Sequence, residues 1–209
     1  MRHTLSLAGL IMLLMLTAAG VGLFALDRSR ADHVDATASL AALSEQRDAA
    51  RQIEVAFKVE VQEWKNILLR GYDPTLLAQY RDAFATRQAE VATGLDRLAA
   101  EGSAEARRLA TEHEGLGAAY DATLAAADLD TAEGVRAADA AVHGADRHLE
   151  GALEALSNTF GASLLTAAET VEARLAERYE TTRQMLLYVA LAGMLATFVL
   201  LVLLARRGR

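Results

Sequence analysis

The sequence predicts an all-α fold, an up-down-up-down four-helix bundle flanked by two transmembrane helices. Three observations lead there. The 209 residues are 53% hydrophobic but only 5% aromatic, with abundant alanine and a single proline, a composition of helix formers rather than sheet formers. Apolar residues through the middle recur at spacings of three and four, the period of a half-buried helix. An uncharged apolar run of about 20 residues stands near each end, long enough to cross a hydrocarbon core. The same composition excludes a disordered chain. With no cysteine, disulfides, thiolate metal sites and cysteine nucleophiles are excluded. A net charge of −7 without a basic tract makes nucleic acid an unsuitable partner.

The elements follow in order. Residues 1–4 form a cytoplasmic N-terminus, and 5–26 (LSLAGLIMLLMLTAAGVGLFAL) carry no charge and read as the first span. The alternative is a cleaved signal peptide with a poor site at Leu16-Thr17-Ala18-Ala19-Gly20, but the run exceeds the usual apolar core of such peptides. Residues 27–184 form the extracytoplasmic domain. Residues 185–205 (MLLYVALAGMLATFVLLVLLA) are the second span, and 206–209, with Arg206, Arg207 and Arg209, a cytoplasmic tail by the positive-inside rule. Arg2 and those three account for +4, leaving −11 on the external segment. Gly20, Gly22 and Gly193 suggest close helix contacts within the membrane.

Inside 27–184 the first stripe is Ile53, Phe57, Val61, Trp64 and Leu68. Gly71 is suited to a left-handed turn that ends this helix, and Asp73-Pro74 supplies an N-cap and first position for the next. The second stripe is Leu77, Tyr80, Phe84, Val91, Leu95 and Leu98, and Glu101-Gly102-Ser103 supplies the same left-handed turn and N-cap between the second and third helices. Leu109, Leu116, Tyr120 and Leu124 form the third. Asp130-Thr131-Ala132-Glu133 has capping-box spacing and opens a short helix that Gly144 closes, and Asp146 caps the last long helix. That helix carries Leu149, Leu153, Leu156, Phe160, Leu164, Val171, Leu175 and Tyr179.

Lengths set the arrangement. At 1.5 Å per residue the first helix covers about 65 Å over 27–70, the second and third about 40 Å each, and the last about 58 Å over 146–184. The Gly102 hairpin therefore stops short of the bilayer, while Arg70, Tyr72, residues 129–145 and Arg147 gather at the far end. Near the membrane the first and last helices keep uncovered apolar faces, which predicts a homodimer.

Two segments carry a family resemblance. Phe57-Lys58-Val59-Glu60-Val61-Gln62-Glu63-Trp64-Lys65-Asn66-Ile67-Leu68-Leu69-Arg70-Gly71 closely resembles a stretch near the end of the first helix in the periplasmic four-helix-bundle sensor domain of bacterial methyl-accepting chemotaxis proteins. Asp139-Ala140-Ala141-Val142-His143-Gly144-Ala145-Asp146-Arg147 resembles the DxxVxGxDR stretch that precedes their fourth helix. The resemblance covers nearly the whole chain and implies a receptor in the bacterial inner membrane, with both termini cytoplasmic and residues 27–184 periplasmic. Such receptors continue into a HAMP linker and a kinase-controlling coiled coil, whereas this chain stops at Arg209. Any signal is therefore expected to pass to a partner, either a full-length chemoreceptor or a cytoplasmic signalling protein.

The resemblance also implies a small carboxylate or amino-acid ligand at the membrane-distal end, held by bidentate guanidinium pairing. The matching neighbourhood supplies Trp64, Lys65, Arg70, Tyr72, Arg136 and Arg147, with Tyr80 and Tyr120 in reach. The close arginine set of aspartate-sensing receptors is absent, and Lys58, Lys65 and Arg70 stand in its place. Each candidate has a plainer reading. Trp64 lies on an apolar stripe and suits a core, Arg70 complements a helix C-terminus, and Arg147 suits a surface ion pair.

Asp139, His143 and His148 lack a recognised metal-ligand spacing, so no metal or cofactor is expected. His113, between Glu112 and Glu114, reads as a surface residue. No phosphate loop, nucleophile elbow or buried acid–base set appears, so an enzyme is not expected. The favoured function is transmembrane sensing of a small polar ligand. The alternative is a non-sensing helical scaffold subunit or a truncated receptor without activity.

Overall fold

The computed structural model describes residues 2–207, without the side chains of 2–8, 10, 11, 14, 200, 204 and 207. It is all-helical: α1 (Arg2–Arg70), α2 (Pro74–Ala100), α3 (Ala104–Ala126), α4 (Ala132–Val142) and α5 (Asp146–Arg207). The chain divides into two compact units, Ala41–Leu165 and the paired terminal segments Met1–Leu40 with Thr166–Arg209.

Within Ala41–Leu165 the caps explain the helix starts. Asp73 accepts from the backbone N–H groups of Thr75 and Leu76, with Pro74 opening α2. Ser103 accepts from Ala106 N, and Gly102 before it adopts φ 105°, the left-handed turn expected there. Three local expectations are corrected. Gly71 does not take a positive φ. It is needed because a Cβ there would stand 2.5 Å from the Ile67 carbonyl oxygen and 2.7 Å from Leu129 Cδ1. Thr131, one residue after Asp130, caps α4 through Gly134 N. Asp146 is the first residue of α5 rather than its cap.

One contiguous core joins all five helices. Ile53, Phe57, Val61, Trp64 and Leu68 of α1 are buried as the periodicity predicts, and so are Phe84, Val91, Leu95 and Leu98 of α2. Leu109, Leu116, Tyr120 and Leu124 of α3 meet them, with Leu149, Leu153 and Leu156 of α5. Helix α4 adds Ala138 and Val142. At the centre Trp64 stacks on Tyr120 with ring centroids 4.5 Å apart, and Phe84 meets Tyr120 edge-on at 5.7 Å. Such pairs contribute about 0.5–1.5 kcal/mol beyond the area they bury.

The terminal unit is two long helical segments. Among the described residues one helix carries a segment apolar and long enough to cross a membrane: α5, within Asp146–Leu203, with a most apolar window of mean hydropathy 2.6. None of that window is buried within the protein. Residues 5–26 are helical as part of α1. Part of that expected first span, the side chains of 5–8, 10, 11 and 14, lies outside the described set, as does Arg209. Among the described residues no atom of another helix approaches within 4 Å of a Cβ built at Gly20, Gly22 or Gly193, so none of these glycines shows a close helix contact there. Tyr179, expected on the apolar stripe of the last helix, is exposed.

Candidate functional site

Position along α1 decides which predicted residues face inward. Trp64 follows Phe57 by seven and Ile53 by eleven, so it shares their face and is buried between Phe84 and Tyr120. It forms core, as the plainer reading had it. Lys65, one residue on, is exposed. It lines a cleft of about 340 Å³ with Lys58, Gln62, Asp146 and Glu150, floored by Phe57 and Val61. Lys58 donates to Glu54 Oε1 at 2.7 Å. That bond and the negative charge of Glu54, with smaller contributions from Glu150 and Glu154, hold the ammonium above its ordinary pKa.

The arginines are placed differently from one another. Arg70 Nη1 donates to the Tyr80 hydroxyl, and its guanidinium carbon lies 5.4 Å from the centroid of that ring. Arg136 Nε donates to the Ala132 carbonyl at 3.0 Å, within its own helix. Arg147 lies over Gly144, its Nε 3.5 Å from where a Cβ would stand. Tyr72, in the α1–α2 turn, is exposed. Among the described residues none of these three arginines forms an ion pair with a carboxylate. The Lys65 cleft contains none of them and no other predicted residue. The predicted set is therefore not gathered into the Lys65 cleft, and Trp64 belongs to the core. Of the weak metal candidates, His148 Nδ1 is taken by Glu112 of α3, while Asp139 and His143 are exposed.

Two polar residues whose inward positions the periodicity shows were missed, and they form a pair. His113 is not on the surface. It is 2% exposed, and its Nε2 lies 2.8 Å from Oε2 of Glu60, itself 0% exposed. The Phe57 ring meets the imidazole edge-on at 6.1 Å. The other carboxylate oxygen, Oε1, is buried without a protein hydrogen-bond partner. Flanking glutamates suggested solvent, but His113 follows Leu109 by four and precedes Leu116 by three, on the buried stripe. Glu60 is likewise three after Phe57 and four before Trp64. Close by, burial pushes the Tyr120 phenol upward in pKa, and the negative charges of Asp146 and Glu60 add to it.

This centre holds α1 against α3, because a buried hydrogen-bonded pair tolerates little change in separation. Set against known proteins, the chain matches no family model, no curated protein and no solved structure.

Proposed function

We propose that the chain is an inner-membrane sensor of chemoreceptor type. In this reading 5–26 and 185–205 are spans, the bundle of 27–184 is periplasmic, and the protein acts as a homodimer whose output passes through a partner. The observation that carries the reading is the continuity of α5. One unbroken helix bears Leu149, Leu153 and Leu156 in the core and, further along, the segment apolar enough to cross a membrane. A displacement of α5 at the core therefore has a continuous helical backbone by which to reach that segment. Shifts of about 1–2 Å are the usual scale of such signals. Among the described residues Arg70, Arg136 and Arg147 have no carboxylate partner, which leaves their positive charge for a small anionic or zwitterionic ligand.

A second reading, a helical interaction subunit without a small ligand, draws on two observations. Trp64 is committed to the core, and the distal arginines share no cleft with Lys65. A thermal-shift screen of the full chain in detergent against carboxylates, amino acids and purines separates the two. A ligand at a hundredfold excess over its Kd stabilises the folded state by about 2.7 kcal/mol. A shift abolished by Arg70→Ala or Arg147→Ala supports the sensor. A flat screen with an intact dimer favours the interaction subunit.

A further inference from the structure

The terminal unit contains a cleft of about 490 Å³ between α1 and α5, unrelated to the distal residues above. It sits where each helix changes character. Phe24 and Ala25 belong to the uncharged run of α1 and Met185 begins that of α5, while the rest of the lining, apart from Leu175, is polar or charged. Its formal charges balance. Arg178 pairs with Asp32 across the cleft, which leaves one cation, Arg28, and one anion, Glu177. Among the described residues neither of these two has an oppositely charged partner. The hydroxyl of Thr182 adds a neutral donor and acceptor.

We propose that this cleft binds the headgroup of a phospholipid carrying a primary ammonium, the phosphoethanolamine class. The phosphate accepts charge-assisted hydrogen bonds from the Arg28 guanidinium, and the ammonium donates to the Glu177 carboxylate. The acyl chains run along Phe24 and Met185 and over the exposed apolar side chains of the two runs, such as Leu23 and Leu187. Charge complementarity selects this headgroup. A phosphoglycerol headgroup brings an anion without a cation and sets it against Glu177. A phosphocholine headgroup brings a cation with no N–H to donate. A water-soluble phosphoethanolamine carries the same groups but lacks the apolar anchor.

The proposal rests on the membrane reading of α5, so its test has two stages. Alkaline extraction of cell membranes should leave the full chain in the pellet, and release into the supernatant would overturn both that reading and this site. The delipidated chain in detergent is then mixed with phosphatidylethanolamine, phosphatidylglycerol, phosphatidylcholine or soluble phosphoethanolamine, and bound lipid is counted by native mass spectrometry. Phosphatidylethanolamine should be retained preferentially. Arg28→Ala and Glu177→Gln should each weaken it by about tenfold, the scale of one charge-assisted hydrogen bond. Arg183→Ala, whose guanidinium pairs with Glu180 and does not line the cleft, should leave it unchanged. Both test positions are exposed, and circular dichroism checks that each variant keeps its helicity. Equal retention of all lipids, preference for phosphatidylglycerol, or indifference to Arg28→Ala in a folded chain would overturn the headgroup site while leaving the membrane reading intact.

Discussion

The Glu60–His113 pair is the most consequential single contact in the core. Both side chains are almost wholly removed from water, so removing one strands the other. Glu60→Leu should lower unfolding free energy by about 1–3 kcal/mol, the scale for leaving a buried polar group without its partner. The double replacement Glu60→Leu with His113→Leu should recover most of that loss, because apolar groups need no partner. Urea denaturation of the wild type, Glu60→Leu, His113→Leu and the double replacement gives the coupling directly, and simple additivity would show that the two groups do not depend on each other. Tyr120 makes a separate prediction. Its folded-state pKa is raised above the ordinary 10.0. The neutral phenol's stabilisation is therefore complete below pH 10 and is lost as pH climbs towards the folded value. The slope should reach at most about 1.4 kcal/mol per pH unit. Tyr120→Phe should flatten this alkaline loss in denaturation curves taken on either side of pH 10.

Among the elements, the short helix α4 depends on backbone fit. A Cβ at Gly134 would lie 1.9 Å from the Asp128 carbonyl oxygen, a backbone atom that cannot swing aside. Gly134→Ala should therefore destabilise by about 1–3 kcal/mol, with amide exchange accelerating in α4 before the long helices. Asp73 tests the opposite kind of local effect. Its two cap bonds stand at the start of α2, and Asp73→Ala should cost about 1 kcal/mol without altering the core. The ion pairs within the helices matter less. Arg108 and Glu105 are paired at 2.6 Å, which lowers the Glu105 pKa. Any stability it adds is present above the ordinary carboxylate range and fades as pH falls through it. Exposure of both partners keeps it small.

For the whole molecule, the proposed sensor includes a second copy. Val34 on α1 is exposed although it lies outside the uncharged runs, and the proposed dimer would cover it with the partner chain. Light scattering of the full chain in mild detergent, corrected for the micelle, should give the mass of two chains. Val34→Asp should shift the equilibrium towards the monomer, since it would place two like charges against the proposed interface. A monomeric wild-type chain would remove the dimer from the proposal.

Local rules and tertiary contacts divided this protein between them. The helical class, the buried stripes of α1, α2 and α3 and the caps at Asp73 and Ser103 were all legible in the sequence. Each depends on residues within about one or two turns of one another, so period and capping chemistry suffice. The role of Gly71 was not, because Leu129 comes from a distant segment. Glu60 with His113 are 53 positions apart, and His148 with Glu112 are 36. Their stripe positions were visible, but which polar groups would meet was not. The scatter of the candidate arginines has the same origin. Their ends of the chain were predicted together, while Arg70 turned to Tyr80 and Arg136 to its own helix. Side-chain partners are chosen only when helices pack, and that choice decides which charges remain available to a ligand.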